Sequence, residues 1–166
     1  SFANFNGKTY FAGDDSNSVS LYEYHGSGKP TLVIPSAETP TPTSPQNSII
    51  LPSDFKSSSI TVFDSKLFFS YVAIDQGIFT TVLASLDSSN HMQVYADPQA
   101  ASDTYPIEVS NLYVWNGNLY FHGYRDQVNS FIVKLAAGSS LPEFLDFLTD
   151  PADFTSYTAP ADPQSF

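Results

Sequence analysis

One six-residue pattern occurs three times in this chain of 166 residues and constrains its fold more than any other feature. Its copies are NGKTYF at Asn6–Phe11, DSKLFF at Asp64–Phe69 and NGNLYF at Asn116–Phe121. An Asn-Gly pair beside alternating apolar residues is a strong hairpin signal, because both central turn positions need positive φ. The copies lie 58 and 52 residues apart, a spacing close to that of propeller blades and similar arrays. The pattern predicts a chain built from three similar β-units.

Turn residues divide each unit into four short predicted strands. In the first unit they are Phe2–Phe5, Thr9–Ala12, Val19–Tyr24 and Thr31–Ile34, in the second Ser59–Phe63, Lys66–Val72, Gly77–Ser85 and Met92–Tyr95, and in the third Glu108–Val114, Asn118–Gly123, Ser130–Leu135 and Glu143–Phe147. Proline-bearing connectors are predicted at Pro35–Pro52, Ala96–Pro106 and Pro151–Pro163. The prediction is one domain over 1–166, with units at about 1–47, 48–106 and 107–166.

The end of the third unit carries a conflicting signal. Leu141, Phe144 and Leu148 follow helical spacing, and Ser140 with Glu143 forms a capping box. The same phase of the first unit is strand-like, so we predict a strand here as well.

The hexapeptide strands are apolar on both faces. Leu119 and Phe121 share one face of their strand while Tyr120 points to the other. A sheet with one face in water would carry polar residues on that face. A four-stranded blade stacked between two others buries both faces, as in a propeller. The predicted fold class is therefore all-β, a β-propeller segment of about three four-stranded antiparallel blades.

Three blades are fewer than the four to eight that typically close a propeller. They would leave two broad aromatic faces in water, more apolar surface than a monomer usually exposes. We predict that further blades or another copy of the chain completes the assembly. We therefore expect the chain to be either a piece of a longer protein or one subunit of a dimer.

Charge and cysteine content narrow the classes of function. Seventeen acidic residues against six basic ones give a net charge of −11, which argues against nucleic acid and anionic membranes as partners. The chain has no Cys, which excludes disulfides, thiolate metal sites and a Cys nucleophile. No apolar stretch approaches the ~18 residues of a membrane span.

The segment LYEYHGS at Leu21–Ser27, together with the upstream hexapeptide, resembles a known bacterial repeat family. That family is named for its Glu-Leu-Trp…Asp-Gly-Thr motif and carries an Asn-Gly-Lys-Leu-Tyr-Phe strand. Tyr22 stands at the Trp of the motif and His25 at the Asp, and the signatures of the kelch and WD40 propellers are absent. The resemblance implies a β-propeller of an extracellular or cell-surface protein, with no catalytic residues to transfer.

Acidic residues follow the hexapeptide strand in every unit, as Asp14, Asp75 and Asp126. Such recurrence favours turn chemistry over a unique active site. Calcium is the alternative, because it binds oxygen ligands. The best candidate ligands for it are Asp14, Asp15 and Asn17.

No catalytic motif stands out in the sequence. The carboxylates that a glycosidase-like rim could use, Glu23, Glu108, Asp14 and Asp126, are not paired by spacing. Trp115 could stack on a sugar, but its place before a turn in an apolar strand predicts core packing. We predict a noncatalytic extracellular segment that assembles with other blades or copies, or binds a glycan or surface protein. A hydrolase propeller and a self-assembling surface fibre are the alternatives.

Overall fold

The computed structural model of the chain describes residues 2–14, 19–34, 37–38, 49–51, 60–75, 78–95, 108–125 and 129–145. Within these ranges the regular secondary structure is β-strand, without a helix. No helix of the described residues is long and apolar enough to cross a membrane. The all-β prediction is confirmed.

The described strands are short and follow the predicted order. They are β1 (Phe2–Phe5), β2 (Lys8–Asp14), β3 (Val19–Tyr24), β4 (Thr31–Leu32), β5 (Ala37–Glu38), β6 (Ile50–Leu51), β7 (Ile60–Phe63), β8 (Lys66–Asp75), β9 (Ile78–Leu86), β10 (His91–Tyr95), β11 (Glu108–Trp115), β12 (Asn118–Arg125), β13 (Asn129–Ala136) and β14 (Glu143–Leu145).

The strands form three sheets, each built on a four-stranded antiparallel path. The first sheet has the order β1-β2-β3-β4, the middle sheet β7-β8-β9-β10 and the third sheet β11-β12-β13-β14. The short strand β6 also pairs with β3, and β5 lies parallel to β10 at the edge of the middle sheet. The prediction of three four-stranded antiparallel units is confirmed at this level.

Each hexapeptide forms the first hairpin turn and the start of the second strand of its sheet. Asn6 and Gly7 have φ of 49° and 73°, and Asn116 and Gly117 have 47° and 73°. The degenerate copy turns in the same way, since Asp64 and Ser65 also have positive φ. The turns therefore have the positive φ at both central positions that the Asn-Gly signal predicts.

Among the described strands only Phe2–Phe5 and Val19–Tyr24 have the predicted bounds, and the other predicted strands differ by one to three residues at an end. The segment with competing helical spacing contains the strand β14, as predicted, because Glu143–Leu145 pairs with β13. The predicted connector Pro35–Pro52 contains two short strands that were not predicted, β5 and β6. The other two connectors, Ala96–Pro106 and Pro151–Pro163, lie outside the described residues.

Two apolar clusters hold the sheets together, and the middle sheet contributes to both. The cluster between the first and middle sheets consists of Tyr10, Leu21, Val33, Ile49, Ile60, Leu67, Phe69, Tyr71, Ala84, Leu86 and Met92. The cluster between the middle and third sheets consists of Phe63, Phe68, Leu83, Tyr95, Val109, Leu112, Leu119, Phe121, Val133 and Leu135. Burial of both faces is thus confirmed for the middle sheet, whereas the outer sheets each have one face against a cluster.

Candidate interaction faces

An aromatic pair occurs at the same place in all three sheets. The last residue of the first strand packs on the ring at the third position of the second strand, as Phe5–Tyr10 (centroids 6.2 Å apart), Phe63–Phe68 (5.7 Å) and Trp115–Tyr120 (6.0 Å). The first pair faces the middle sheet and the second pair faces the third sheet. The third pair lies on the outer face of the third sheet, where no described residue belongs to a core cluster. In the first two sheets the face that carries the aromatic pair therefore points toward the next sheet along the chain, and the third sheet carries its pair on the corresponding face.

That outer face of the third sheet is the third open face, which we define by Tyr113, Trp115, Tyr120, Ile132 and Leu145. Trp115 is 55% exposed, Tyr113 53% and Ile132 42%. The prediction that Trp115 packs in a core is wrong. Its counterpart Phe63 is buried by the third sheet, but no described part of the chain covers Trp115 in the same way.

The outer face of the first sheet is also apolar. Its centre is a row of directly paired residues across four strands, Phe2, Phe11, Tyr22 and Leu32, which we call the first open face. Phe11 and Tyr22 stack with centroids 6.1 Å apart. Phe2 is 73% exposed, whereas Phe11, Tyr22 and Leu32 are partly buried. The Tyr22 ring also covers Gly13, where a Cβ would lie 2.6 Å from Tyr22 Cδ2.

The residues that correspond to the first open face are covered in the other two sheets. The row in the middle sheet contains Ile60, Phe69 and Ala84, which all belong to the cluster shared with the first sheet. The row in the third sheet includes Phe121 and Val133, which belong to the cluster shared with the middle sheet. The residues at most positions of each open face are thus buried in at least one other sheet of the chain.

Polar contacts between the sheets recur in the same direction. Asn6, in the hairpin turn of the first sheet, donates from Nδ2 to the carbonyl oxygen of Ser88 in the middle sheet at 3.3 Å. Asp64, at the same place in the middle sheet, accepts at Oδ2 from the backbone N–H of Gly138 in the third sheet at 2.8 Å. Both acceptor and donor lie in the turn between the third and fourth strands of the next sheet. Asn116 occupies the corresponding place in the third sheet and is exposed.

The most perturbed ionisable groups surround Glu23 in the first sheet. Its carboxylate lies 2.8 Å from Lys8 Nζ and 3.0 Å from His25 Nε2. Burial favours the neutral carboxyl, but the hydrogen bonds from Lys8 and His25 outweigh it and lower the pKa of Glu23. Burial raises the pKa of Tyr10 to about 12, and the adjacent Glu23 charge and its hydrogen bond add to this. The group is a single ionised carboxylate with its partners, not the carboxyl pair of a glycosidase.

Asp87 has a turn-forming role in the middle sheet. Its Oδ1 accepts hydrogen bonds from the backbone N–H groups of Ser89 at 2.8 Å and His91 at 2.9 Å. The hydrogen bond from His91 has the largest effect and, together with the one from Ser89, lowers the pKa of Asp87 although burial acts to raise it. This carboxylate closes the turn before β10, which is the ordinary use of Asp in turns.

The proposed calcium ligands are only partly described. Asp14 is the exposed last residue of β2 and pairs with Val19, whereas Asp15 and Asn17 lie outside the described residues. Asp75 is the last residue of β8, and Asp126 lies outside the described residues. No group of three or more His, Asp or Glu residues that could hold a metal occurs within the described ranges. Calcium binding by this loop stays a prediction.

A cleft of about 170 Å³ lies between the middle and third sheets, beside the Asp64–Gly138 contact. It is lined by Phe63, Asp64, Lys66, Phe68, Gln93, Tyr95, Leu135, Ala136, Gly138, Ser139 and Ser140. Pockets for small organic ligands usually measure about 300–1,000 Å³. The cleft is therefore smaller than a typical substrate pocket, and Lys66 Nζ within it bonds Gln93 Oε1 at 3.0 Å.

No protein-family model and no curated protein matches this chain. The resemblance of LYEYHGS to the Glu-Leu-Trp…Asp-Gly-Thr repeats therefore stays a prediction, and function is argued from the geometry of the described residues. The largest unexplained features of that geometry are the two open faces.

Proposed function

We propose that this chain is a noncatalytic assembly module, a β-propeller segment whose two open faces bind further polypeptide. The observation that supports it is the correspondence of Trp115, which is 55% exposed, with Phe63, which is 6% exposed. Two aromatic residues at one position of two similar sheets differ mainly in whether another sheet covers them. Exposed apolar faces of this kind mark interaction sites on soluble proteins.

The ionisable groups of the described residues support the noncatalytic part of the proposal. Hydrogen bonds to Glu23 and Asp87 lower the pKa of both carboxyl groups and favour their charged form, and both groups thereby stabilise local structure. A glycosidase acid needs the opposite, a carboxyl group with a raised pKa opposite a second carboxylate. The hydrolase alternative would therefore require groups outside these two contacts, such as the predicted rim residue Asp126.

We further propose that the module belongs to an extracellular or cell-surface protein. The net charge of −11 and the resemblance to bacterial surface repeats support this location. An acidic surface keeps such a protein soluble in spite of its apolar faces. Immunolabelling of intact and permeabilised cells of the source organism tests it, and labelling only after permeabilisation would contradict it.

Glycan binding is a second candidate, because Trp115 and Tyr113 present exposed rings on one face. Aromatic rings offer a flat apolar surface with a polar edge, which suits the apolar side of a sugar ring. The third open face is the place where such a ligand would stack.

The single Trp of the chain makes a direct test of both candidates. Acrylamide quenching of Trp115 is measured in dilute chain, in concentrated chain, and in dilute chain with chito- and cello-oligosaccharides. We expect quenching to decrease as the face is covered by polypeptide, whereas a decrease only with oligosaccharide would favour the glycan candidate. A variant carrying Trp115→Phe and Leu141→Trp moves the reporter to an exposed turn outside both faces and should show no change. Free quenching of Trp115 under every condition would contradict the proposed function.

A further inference from the structure

We propose that two copies of this chain bind head to tail, with the third open face of one copy covered by the first open face of the next. The inference rests on the proposed function and names the partner and the two faces. It follows from the way the three sheets already contact one another inside a single chain.

The two contacts within the chain are of the same kind. In both, the face with the aromatic pair packs against the face with the hexapeptide Phe of the following sheet: Tyr10 meets the face of Phe69, and Phe68 meets the face of Phe121. The third open face is the aromatic-pair face of the last sheet. The first open face, with Phe11, is the hexapeptide-Phe face of the first sheet. These two faces, which no described sheet covers, are therefore the two halves of a contact that the chain forms twice internally.

The positions around the aromatic pair support the same match. Leu21, Leu83 and Ile132 occupy corresponding places, each opposite the residue two positions after the paired ring. Leu21 and Leu83 are buried by the following sheet, whereas Ile132 is 42% exposed. An apolar side chain is thus present at the place where the contact requires one, and no sheet of the described residues covers it.

The hydrogen bonds between the sheets give the contact a direction. Asn6 and Asp64 each reach the turn between the third and fourth strands of the following sheet. Asn116 lies at the same place in the third sheet, and the turn His25–Gly28 is the corresponding exposed turn of the first sheet. The Asn116 amide of one copy is therefore expected to bond the His25–Gly28 turn of the next.

A contact between two different faces is heterologous. Such contacts either close into a ring or continue as an open array, depending on the rotation between copies. From a heterologous contact we expect that the loss of either face alone prevents self-association. Two chains that have each lost a different face should still bind each other.

The test uses two blocked variants of the full chain. One carries Tyr113→Glu with Trp115→Glu and lacks the third open face, and the other carries Phe2→Glu with Phe11→Ser and lacks the first. Phe2→Glu alone serves if the double change unfolds the first sheet, because Phe2 is 73% exposed. Leu141→Glu, in an exposed turn outside both faces, is the matched control. Circular dichroism verifies the fold of each variant.

Sedimentation velocity over a concentration series gives the masses. We expect the wild type and Leu141→Glu to associate as concentration rises, and each blocked variant to associate at least about tenfold more weakly, as when a central aromatic anchor is lost. An equimolar mixture of the two blocked variants should form a 1:1 dimer that does not grow. In that mixture the remaining Trp115 belongs to the chain without the first open face, so its acrylamide quenching should fall on mixing.

Three results would overturn the inference. A wild type that stays monomeric at every concentration removes the contact, and blocked variants that associate like the wild type place it on another surface. Blocked variants that fail to pair show that the two faces are not complementary. Protection of Trp115 by oligosaccharide in a monomeric chain would leave a binding function and refute only the second copy as partner.

Discussion

Replacing corresponding apolar residues in the middle and third sheets by Ala should have very different costs. Leu83 and Ile132 occupy the same place in their sheets and are similar in size, but Leu83 is 2% exposed and Ile132 is 42% exposed. The comparison of Leu83→Ala with Ile132→Ala therefore isolates the effect of being covered by a neighbouring sheet.

The expected magnitudes follow from burial. Leu83→Ala loses the transfer free energy of the removed atoms and leaves a cavity between two sheets, which together cost about 2–5 kcal/mol. Full burial of an aliphatic side chain stabilises by about 1.5–3 kcal/mol, so the roughly half-covered Ile132 contributes about 1 kcal/mol. No enclosed cavity forms at an open face. The unfolding free energies of the two variants should thus differ by about 2 kcal/mol, with Leu83→Ala the less stable.

Urea unfolding followed by circular dichroism measures both changes, with m-values compared to verify that the transition stays the same. The chain is kept dilute, so that association does not add to stability. Leu21→Ala, in the first sheet, provides a replicate of the covered position. Equal losses for Leu83→Ala and Ile132→Ala would refute the view that the third sheet has an open face. In concentrated chain the cost of Ile132→Ala should increase, because a second copy then covers that position.

Three further predictions concern polar groups. Ser70→Ala should leave the unfolding free energy unchanged or raise it by up to about 1 kcal/mol, because the buried Ser70 Oγ has no hydrogen-bond partner among the described residues; a clear loss in urea unfolding would contradict this. The pKa of Tyr10 is raised to about 12, so stability should fall as pH rises from about 10 to about 12, and Tyr10→Phe should abolish that fall in alkaline thermal melts. Asp87 Oδ1 accepts two backbone hydrogen bonds, so Asp87→Ala should cost about 1 kcal/mol at neutral pH. The pKa of Asp87 is lowered, so this cost should decrease below about pH 4, and an equal cost at neutral and acidic pH would exclude the carboxylate as the cause.

The local signals in the sequence predict the twelve strands of the three four-stranded paths and the turns after their first strands. Asn6-Gly7 and Asn116-Gly117 predict turns with positive φ, and the alternation after them predicts strands with two apolar faces. The pattern carries over to Asp64-Ser65, although Ser at positive φ is unfavourable, because the flanking strands pair in the same register.

The two connector strands could not be predicted in this way. Each has two residues, too few for alternation to be visible, and both depend on edges supplied by distant strands. Ile49 illustrates the consequence: it lies in a proline-bearing segment, yet it is buried at 1% exposure and its carbonyl accepts from the N–H of Leu21 at 3.2 Å. Tertiary pairing, not local sequence, determines its position.

The exposure of Trp115 could not be predicted, because the local sequence around Trp115 resembles the sequences around its covered counterparts in the first and middle sheets. A strand ending in an aromatic residue before a turn is covered in the first two sheets and open in the third. Whether a face is covered depends on what lies beside the sheet. The hexapeptide determines which residues lie on each face of the sheet, but it does not determine whether another sheet covers that face.

One polar position shows how such a face can be covered at a reduced energetic cost. The residue opposite the paired ring of the second strand is polar in each sheet, as Glu23, Ser85 and Lys134. A buried charge or hydroxyl destabilises a contact unless it has a partner. In each sheet that partner comes from the same sheet, and the three pairs are Glu23–Lys8, Ser85–Tyr95 and Lys134–Glu143.

The covering sheet therefore need not supply a partner for this group. Glu23 and Ser85 show that the arrangement works beside a neighbouring sheet, since Ser85 is 1% exposed and the Glu23 side chain 13%. Lys134 has the same arrangement on the third open face, where its Nζ lies 3.0 Å from Glu143 Oε2. An isolated Lys would oppose burial of that face, but a Lys already bonded within its own sheet opposes it less. The third open face thus combines an aromatic pair, an aliphatic side chain and an internally paired charge, the combination that the first sheet already buries against its neighbour.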